Sequence, residues 1–149
     1  MTKLERCTYA RDCHSSGLSC AESVMAAFTE ETGLTEEQSI AICSGFGFGL
    51  RYGGACGVVC AAIMVLGMCH PHTRENGAEG KRRAGELTME FERRFRERFG
   101  YLDCRELKAN PTGEGTEMAK LLNTTSHCRT MVVSGTELLH DFLEELKEK

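Results

Sequence analysis

Thiols are the reactive groups this chain carries in excess: nine cysteines in 149 residues, at Cys7, Cys13, Cys20, Cys43, Cys56, Cys60, Cys69, Cys104 and Cys128. Cys20 follows Ser19, Cys104 follows Asp103, and Cys128 lies just after Ser126, so each falls in the first turn of an expected helix. Cys56 stands where a glycine-rich loop enters an apolar helix. Such positions face unpaired backbone N–H groups and the positive end of the helix dipole, both of which favour an anion. A thiol placed there can have its pKa drawn from about 8.5 to neutrality or below. The resulting thiolate attacks disulfides, reduces oxidants and binds metal. Convergence of the four helix starts would give a four-thiolate pocket, and Arg105 and Arg129, each directly after a cysteine, would add positive charge.

The other cysteines read differently. Cys43, Cys60 and Cys69 lie in apolar helical stretches, where a free cysteine usually serves as a small hydrophobe. Cys60 follows Cys56 by one helical turn and so doubles as a spare thiol on the same side. Cys7 and Cys13 occupy a polar N-terminal segment, residues 1–16, read as peripheral and able to fold over the site, with Cys13 the better resolving partner. Gly45, Gly47 and Gly49 precede Cys56. No strand stands before them and no lysine-plus-hydroxyl pair follows, so they are read as backbone freedom for a close approach to Cys56 rather than a nucleotide loop. Gly57 supports that approach, and Arg51 is available to an anion or a thiolate. His127 adjoins Cys128, but neighbours on a helix do not face each other. His70 and His72 flank Pro71 as a helix stop.

The elements that would position these thiols are helical. Residues 20–32 place Ala21, Val24, Met25 and Phe28 on one side, with Ser19 and Glu22 as a capping box and Gly33 past the end. Thr35 and Gln38 repeat that signature before a short second helix. A charge-free stretch, 52–73, contains an apolar helix of about 56–69. Its strongly apolar part, Val58 to Cys69, is shorter than the roughly 20 residues a bilayer span requires, so it predicts a buried core helix. A longer helix, about 78–99, aligns Ala84, Leu87, Phe91, Phe95 and Phe99 against a basic opposite side. Asp103 and Glu106 read as another capping box, and Asn110-Pro111-Thr112-Gly113 as a loop. The last helix starts near Thr125 or Ser126 and buries Met131, Val132, Leu138, Leu139, Phe142, Leu143 and Leu146. The expectation is an all-α single domain over 1–149, a bundle of five to seven helices.

Composition narrows the setting. Hydrophobic residues at 41% suffice for a core, and a formal net charge of -4 argues against a nucleic-acid binder. An odd cysteine count forbids a fully paired framework within one chain, and the N-terminus shows no signal-peptide pattern. A reducing, cytoplasmic location is expected, without membrane insertion. In such a location clustered cysteines more often mean metal or redox chemistry.

Gly17-Leu18-Ser19-Cys20-Ala21, then Cys56-Gly57-Val58-Val59-Cys60-Ala61, then Cys104 and Cys128, together resemble the redox-active protein family named for its C–GCAxxG–C–C cysteine signature. The resemblance spans roughly residues 17 to 140. The departures from it read as Val58 in place of alanine and Ala61 in place of the closing glycine, and neither removes a thiol. The resemblance implies a small helical protein with a redox role, and it carries the family's four cysteines onto Cys20, Cys56, Cys104 and Cys128. No C-x-x-C-H is present, so covalent c-type haem attachment is not supported.

Three readings compete. In the first, two of the four cysteines cycle between dithiol and disulfide, no cofactor is required, and the partner is a redox protein or a small-molecule oxidant or reductant. In the second, the same four cysteines ligate an iron–sulfur cluster or other metal ion. Singly scattered ligands fit poorly with a zinc finger. In the third, the cysteines fill the core of a binding or assembly module whose basic 81–99 helix docks an acidic partner. The apolar central helix also suggests a homo-oligomer.

Overall fold

The computed structural model describes residues 1–111 and 113–149. Thr112, in the expected loop, lies outside the described residues. Among those described, the chain is all-α and contains no strand, only an isolated antiparallel bridge between Ala55 and Asp103. Its helices are α1 (Lys3–Ser15), α2 (Cys20–Ala26), α3 (Thr29–Thr32), α4 (Glu36–Ile42), α5 (Gly57–Cys69), α6 (Gly77–Phe99), α7 (Cys104–Ala109), α8 (Glu117–Leu121) and α9 (His127–Lys147), with a π-helical turn at Gly49–Gly53.

The count exceeds five to seven because short pieces escape periodicity. The expected helix at 20–32 divides into α2 and α3 where Ala27 and Phe28 leave the ladder. Helix α8 is a single turn with only Ala119 buried, too short to show a pattern. Capping boxes at Ser19/Glu22 and Thr35/Gln38 are formed as expected. At Asp103 the side chain makes no cap hydrogen bond, so the capping box expected there with Glu106 is not formed.

The N-terminal segment is the larger correction. Residues 3–15 form a helix opened by a Thr2/Glu5 capping box, and they bury Arg6, Cys7, Ala10 and Cys13 against α9 and α2. Helix α1 is thus part of the core framework, not peripheral. Periodicity missed it because one of its buried residues is an arginine. Arg6 is 2% exposed. Its guanidinium binds Glu31 through two hydrogen bonds of 2.8 and 2.5 Å, donates to the Ala27 carbonyl at 2.6 Å and to His140 Nδ1 at 3.2 Å, and lies 4.3 Å from the Phe28 ring centroid. Every nitrogen of the guanidinium has a partner, four of its five N–H groups being used, which is the condition under which burying it is tolerated.

Helix α5 runs through the centre with Val58, Val59, Ala61, Ala62, Val65 and Leu66 buried, packed by α2, α6 and α9. No helix is long and apolar enough to cross a membrane among the described residues. Phe91, Phe95 and Phe99 of α6 stack into this core. Part of the basic side of α6 is neutralised locally: Arg82 pairs with Glu79 and Glu86, Arg93 with Glu90 and Glu97, and Arg94 with Glu90 and Glu145. Lys81, Arg83, Arg96 and Arg98 form no ion pair among the described residues, and Arg98 donates to the Gly115 carbonyl at 2.9 Å.

Replacing Arg6 by leucine strands Glu31 and the Ala27 carbonyl in a mostly dry site. The expected loss is about 3 kcal/mol, typical of a broken buried pair. For a chain of this size that lowers Tm by roughly 6–12 °C, measurable by circular dichroism. A shift below roughly 2 °C would show that the network contributes nothing.

A candidate site of converging thiols

Helices α2, α5, α7 and α9 start around one cavity of about 90 Å³, and Cys20, Cys56, Cys104 and Cys128 all line it. Gly57, Phe48, Gly49, Leu107, Lys108, His127 and Met131 complete its walls. A larger hollow, about 530 Å³ beside Glu97, Arg98 and Gly115, is open to solvent and contains no cysteine.

Backbone hydrogen bonds set two of the sulfurs side by side. Across the Ala55–Asp103 bridge, Cys56 N–H donates to Leu102 O at 2.9 Å and Cys104 N–H donates to Gly54 O at 2.6 Å. The start of α5 is thereby tied to the start of α7. The wall facing them is a left-handed turn in which Phe48, Gly49, Leu50 and Arg51 have φ of 51°, 53°, 58° and 71°. Left-handed backbone costs an ordinary residue roughly 1–2 kcal/mol, so the turn persists only because other groups hold it. Gly54 N–H donates to Gly49 O at 2.8 Å, Arg105 donates to Tyr52 O at 2.9 Å, and the Lys108 ammonium sits 4.6 Å from the Phe48 ring centroid. Only glycine fits at 49, where a Cβ would stand 2.3 Å from Gly54 O and 2.8 Å from the Cys104 Cβ. At Gly57 a Cβ would meet Ala21 N at 3.0 Å, so α2 can bring Cys20 close to α5.

The four thiols are not equivalent. Cys56 and Cys104 are buried, whereas Cys20 and Cys128 are half-buried. Burial pushes Cys56 from 9.0 up to about 12; the N–H groups of Val58 and Val59 pull it down, but neither completes a cap hydrogen bond. The reason is one of size. A helix terminus is worth at most about 2 kcal/mol to a partly buried charge, whereas desolvation raises a thiol by up to roughly 3–5 pKa units, several kcal/mol. Burial likewise raises Cys104, against the pull of Lys108.

Cys128 goes the other way. Hydrogen bonding with Cys20 lowers it to about 6, burial opposes this, and the Lys108 charge assists. Cys20 is raised by the same interaction and by burial, so it keeps the proton that Cys128 releases. Lowered pKa at helix starts, expected for all four cysteines, therefore holds for Cys128 alone.

The surrounding residues also differ from expectation. Arg51 is exposed and absent from the cavity lining, and Arg105 is spent on the Tyr52 carbonyl. The cation that faces the thiols is Lys108, one turn beyond Cys104 and recognisable only by that spacing. Cys60 points its thiol at Ala55 O, 3.9 Å away, and Cys13 is buried on α1 beside Tyr9; neither lines the cavity. Cys43 is fully buried in the core, as its apolar surroundings implied. His127 does line the cavity, and burial lowers its pKa, favouring the neutral ring. His14 was missed altogether: its Nε2 lies 3.9 Å from Cys20 Sγ.

Among the described residues no group of three or more His, Cys, Asp or Glu is arranged to hold a single metal ion. A Cys₄ set has the right donor chemistry for a small cluster.

The sequence profile described as "Putative redox-active protein (C_GCAxxG_C_C)" matches residues 18–142. No curated protein and no solved structure matches the chain. With Cys56 laid on the signature's central cysteine, the departures are Ala55, Gly57 and Cys60 in place of Gly, Ala and Gly, rather than Val58 and Ala61.

With its pKa near 6, Cys128 is mostly thiolate at neutral pH. Nucleophilicity falls with pKa, so its advantage over an ordinary thiol is about fivefold at pH 7 and about twenty-five-fold at pH 6. Alkylation by iodoacetamide across pH, with the modified cysteine identified by mass spectrometry, measures this. Lys108→Met is expected to move the Cys128 midpoint upward and slow its alkylation at pH 6 by about two- to threefold.

Proposed function

The chain belongs to the C–GCAxxG–C–C redox-active family, and from that premise we propose that it is a thiol–disulfide redox protein in which Cys20 and Cys128 are the cycling pair. One observation carries this reading: four cysteines from four helix starts share one cavity, and the two on its half-buried side, Cys20 and Cys128, have pKa values drawn in opposite directions by each other. A thiolate beside a protonated partner is the resting state for attack followed by resolution. Cys128 attacks the oxidant and Cys20 closes the disulfide. Cys56 and Cys104, more buried and less acidic than Cys128, stand behind them as a second pair able to relay the oxidation inward.

The cavity's size bears on the oxidant. About 90 Å³ holds roughly three water molecules, at about 30 Å³ each. It admits the reacting atoms of a small oxidant or a low-molecular-weight disulfide, not a folded loop. A reducing setting would keep these thiols available for the cycle.

Stoichiometric dithiodipyridine added to the reduced protein under anaerobic conditions is expected to give a Cys20–Cys128 disulfide in peptide maps. Cys20→Ser should stop at a mixed disulfide on Cys128, and Cys128→Ser should slow the first thione release by about fivefold at pH 7. Protein purified anaerobically with stoichiometric iron and sulfide, its four cavity thiols unreactive, would overturn the proposal in favour of a cluster.

A further inference from the structure

Resting on the dithiol reading, we infer that His14 and Arg129 are positioning residues of the redox pair, forming a one-way chain of hydrogen-bond donors that ends at Cys20, which shares the cavity with Cys128. Arg129 Nε donates to His14 Nδ1 at 3.3 Å. Arginine has no acceptor to offer, so His14 must present a lone pair at Nδ1 and, as a neutral ring, carry its proton on Nε2. That Nε2–H faces Cys20 Sγ at 3.9 Å. With its sulfur accepting from His14, Cys20 has its own S–H left to turn toward Cys128, which lines the same cavity. Every donor then points the same way, and such chains polarise each bond along them. Burial and the nearby Arg129 charge favour the neutral state of His14 that this geometry requires.

The chain assigns the order of steps with atoms and electrons balanced. The Cys128 thiolate attacks one sulfur of a low-molecular-weight disulfide, forming a mixed disulfide and expelling a thiolate. That thiolate takes the Cys20 proton and leaves as a thiol. Cys20, now a thiolate, is stabilised by the His14 N–H and attacks the Cys128 sulfur. The Cys20–Cys128 bond forms and a second thiolate departs. Two cysteine sulfurs are oxidised and one external disulfide is reduced. His14 neither gains nor loses a proton. It holds the charge on Cys20 during closure, and Arg129 fixes which ring nitrogen faces the sulfur.

Stopped-flow reaction of the full-length protein with dithiodipyridine resolves two thione releases, attack and closure. His14→Phe should slow closure by about tenfold while changing the first release by less than about threefold, as expected for loss of one hydrogen bond to a charge. His14→Gln, which keeps an N–H donor, should recover most of the closure rate. Arg129→Met should slow closure severalfold and shift its pH profile, because the freed ring can turn a lone pair to Cys20. The other titratable or charged groups facing the pair are Cys56 of α5, Cys104 and Lys108 of α7, and His127 of α9, and they are the same in every variant. Circular dichroism and Tm check that each variant folds; should His14→Phe not fold, the Gln and Met variants decide. Closure within twofold of wild type in His14→Phe and Arg129→Met overturns the assignment. If Cys20→Ser still traps the mixed disulfide, the dithiol reading survives that failure; a wild-type protein with no second release overturns both.

Discussion

Burying a thiolate costs more than a helix terminus returns, and that inequality organises the site. Four helices direct their N-termini at one small cavity, a strongly electropositive arrangement when considered alone. Yet the two deeper sulfurs, Cys56 and Cys104, have raised pKa values because they are dry. Cys128 alone is drawn downward, by its neighbour Cys20 and by the Lys108 charge. The cavity is therefore graded: the more acidic thiol and its raised partner on the half-buried side, two buried thiols with raised pKa values behind.

That grading depends on backbone geometry away from the sulfurs. The two hydrogen bonds across the Ala55–Asp103 bridge set how far α7 stands from α5. The left-handed turn at 48–51 fits only because Gly49 has no Cβ to strike Gly54 or Cys104. Strain of this kind commonly persists at functional sites, where the surrounding contacts over-determine it. Here those contacts are Arg105 on the Tyr52 carbonyl and Lys108 over Phe48, so the two basic residues of α7 hold the turn that walls the cavity.

Helix α1 links the frame to the chemistry. Its buried Arg6 anchors it to the α2–α3 junction and to α9, and one end of the helix then brings His14 to Cys20. A residue that looks like ordinary surface charge in the sequence thus positions a side chain in contact with Cys20.

The sequence by itself determined the all-α class, the central apolar helix, the phenylalanine stripe of α6 and the placement of four cysteines at helix starts. These follow from local rules, periodicity and capping, that need no knowledge of distant residues. The short helices and α1 escaped because too few apolar positions repeat in them, or because the buried residue was charged. Which cysteines meet, which one ionises, and which cation or imidazole faces them were decided only by the tertiary structure. Those outcomes depend on desolvation and on contacts between residues far apart in the chain, His14 with Cys20 and Arg129 above all, and neither quantity is written in spacing along a strand of amino acids.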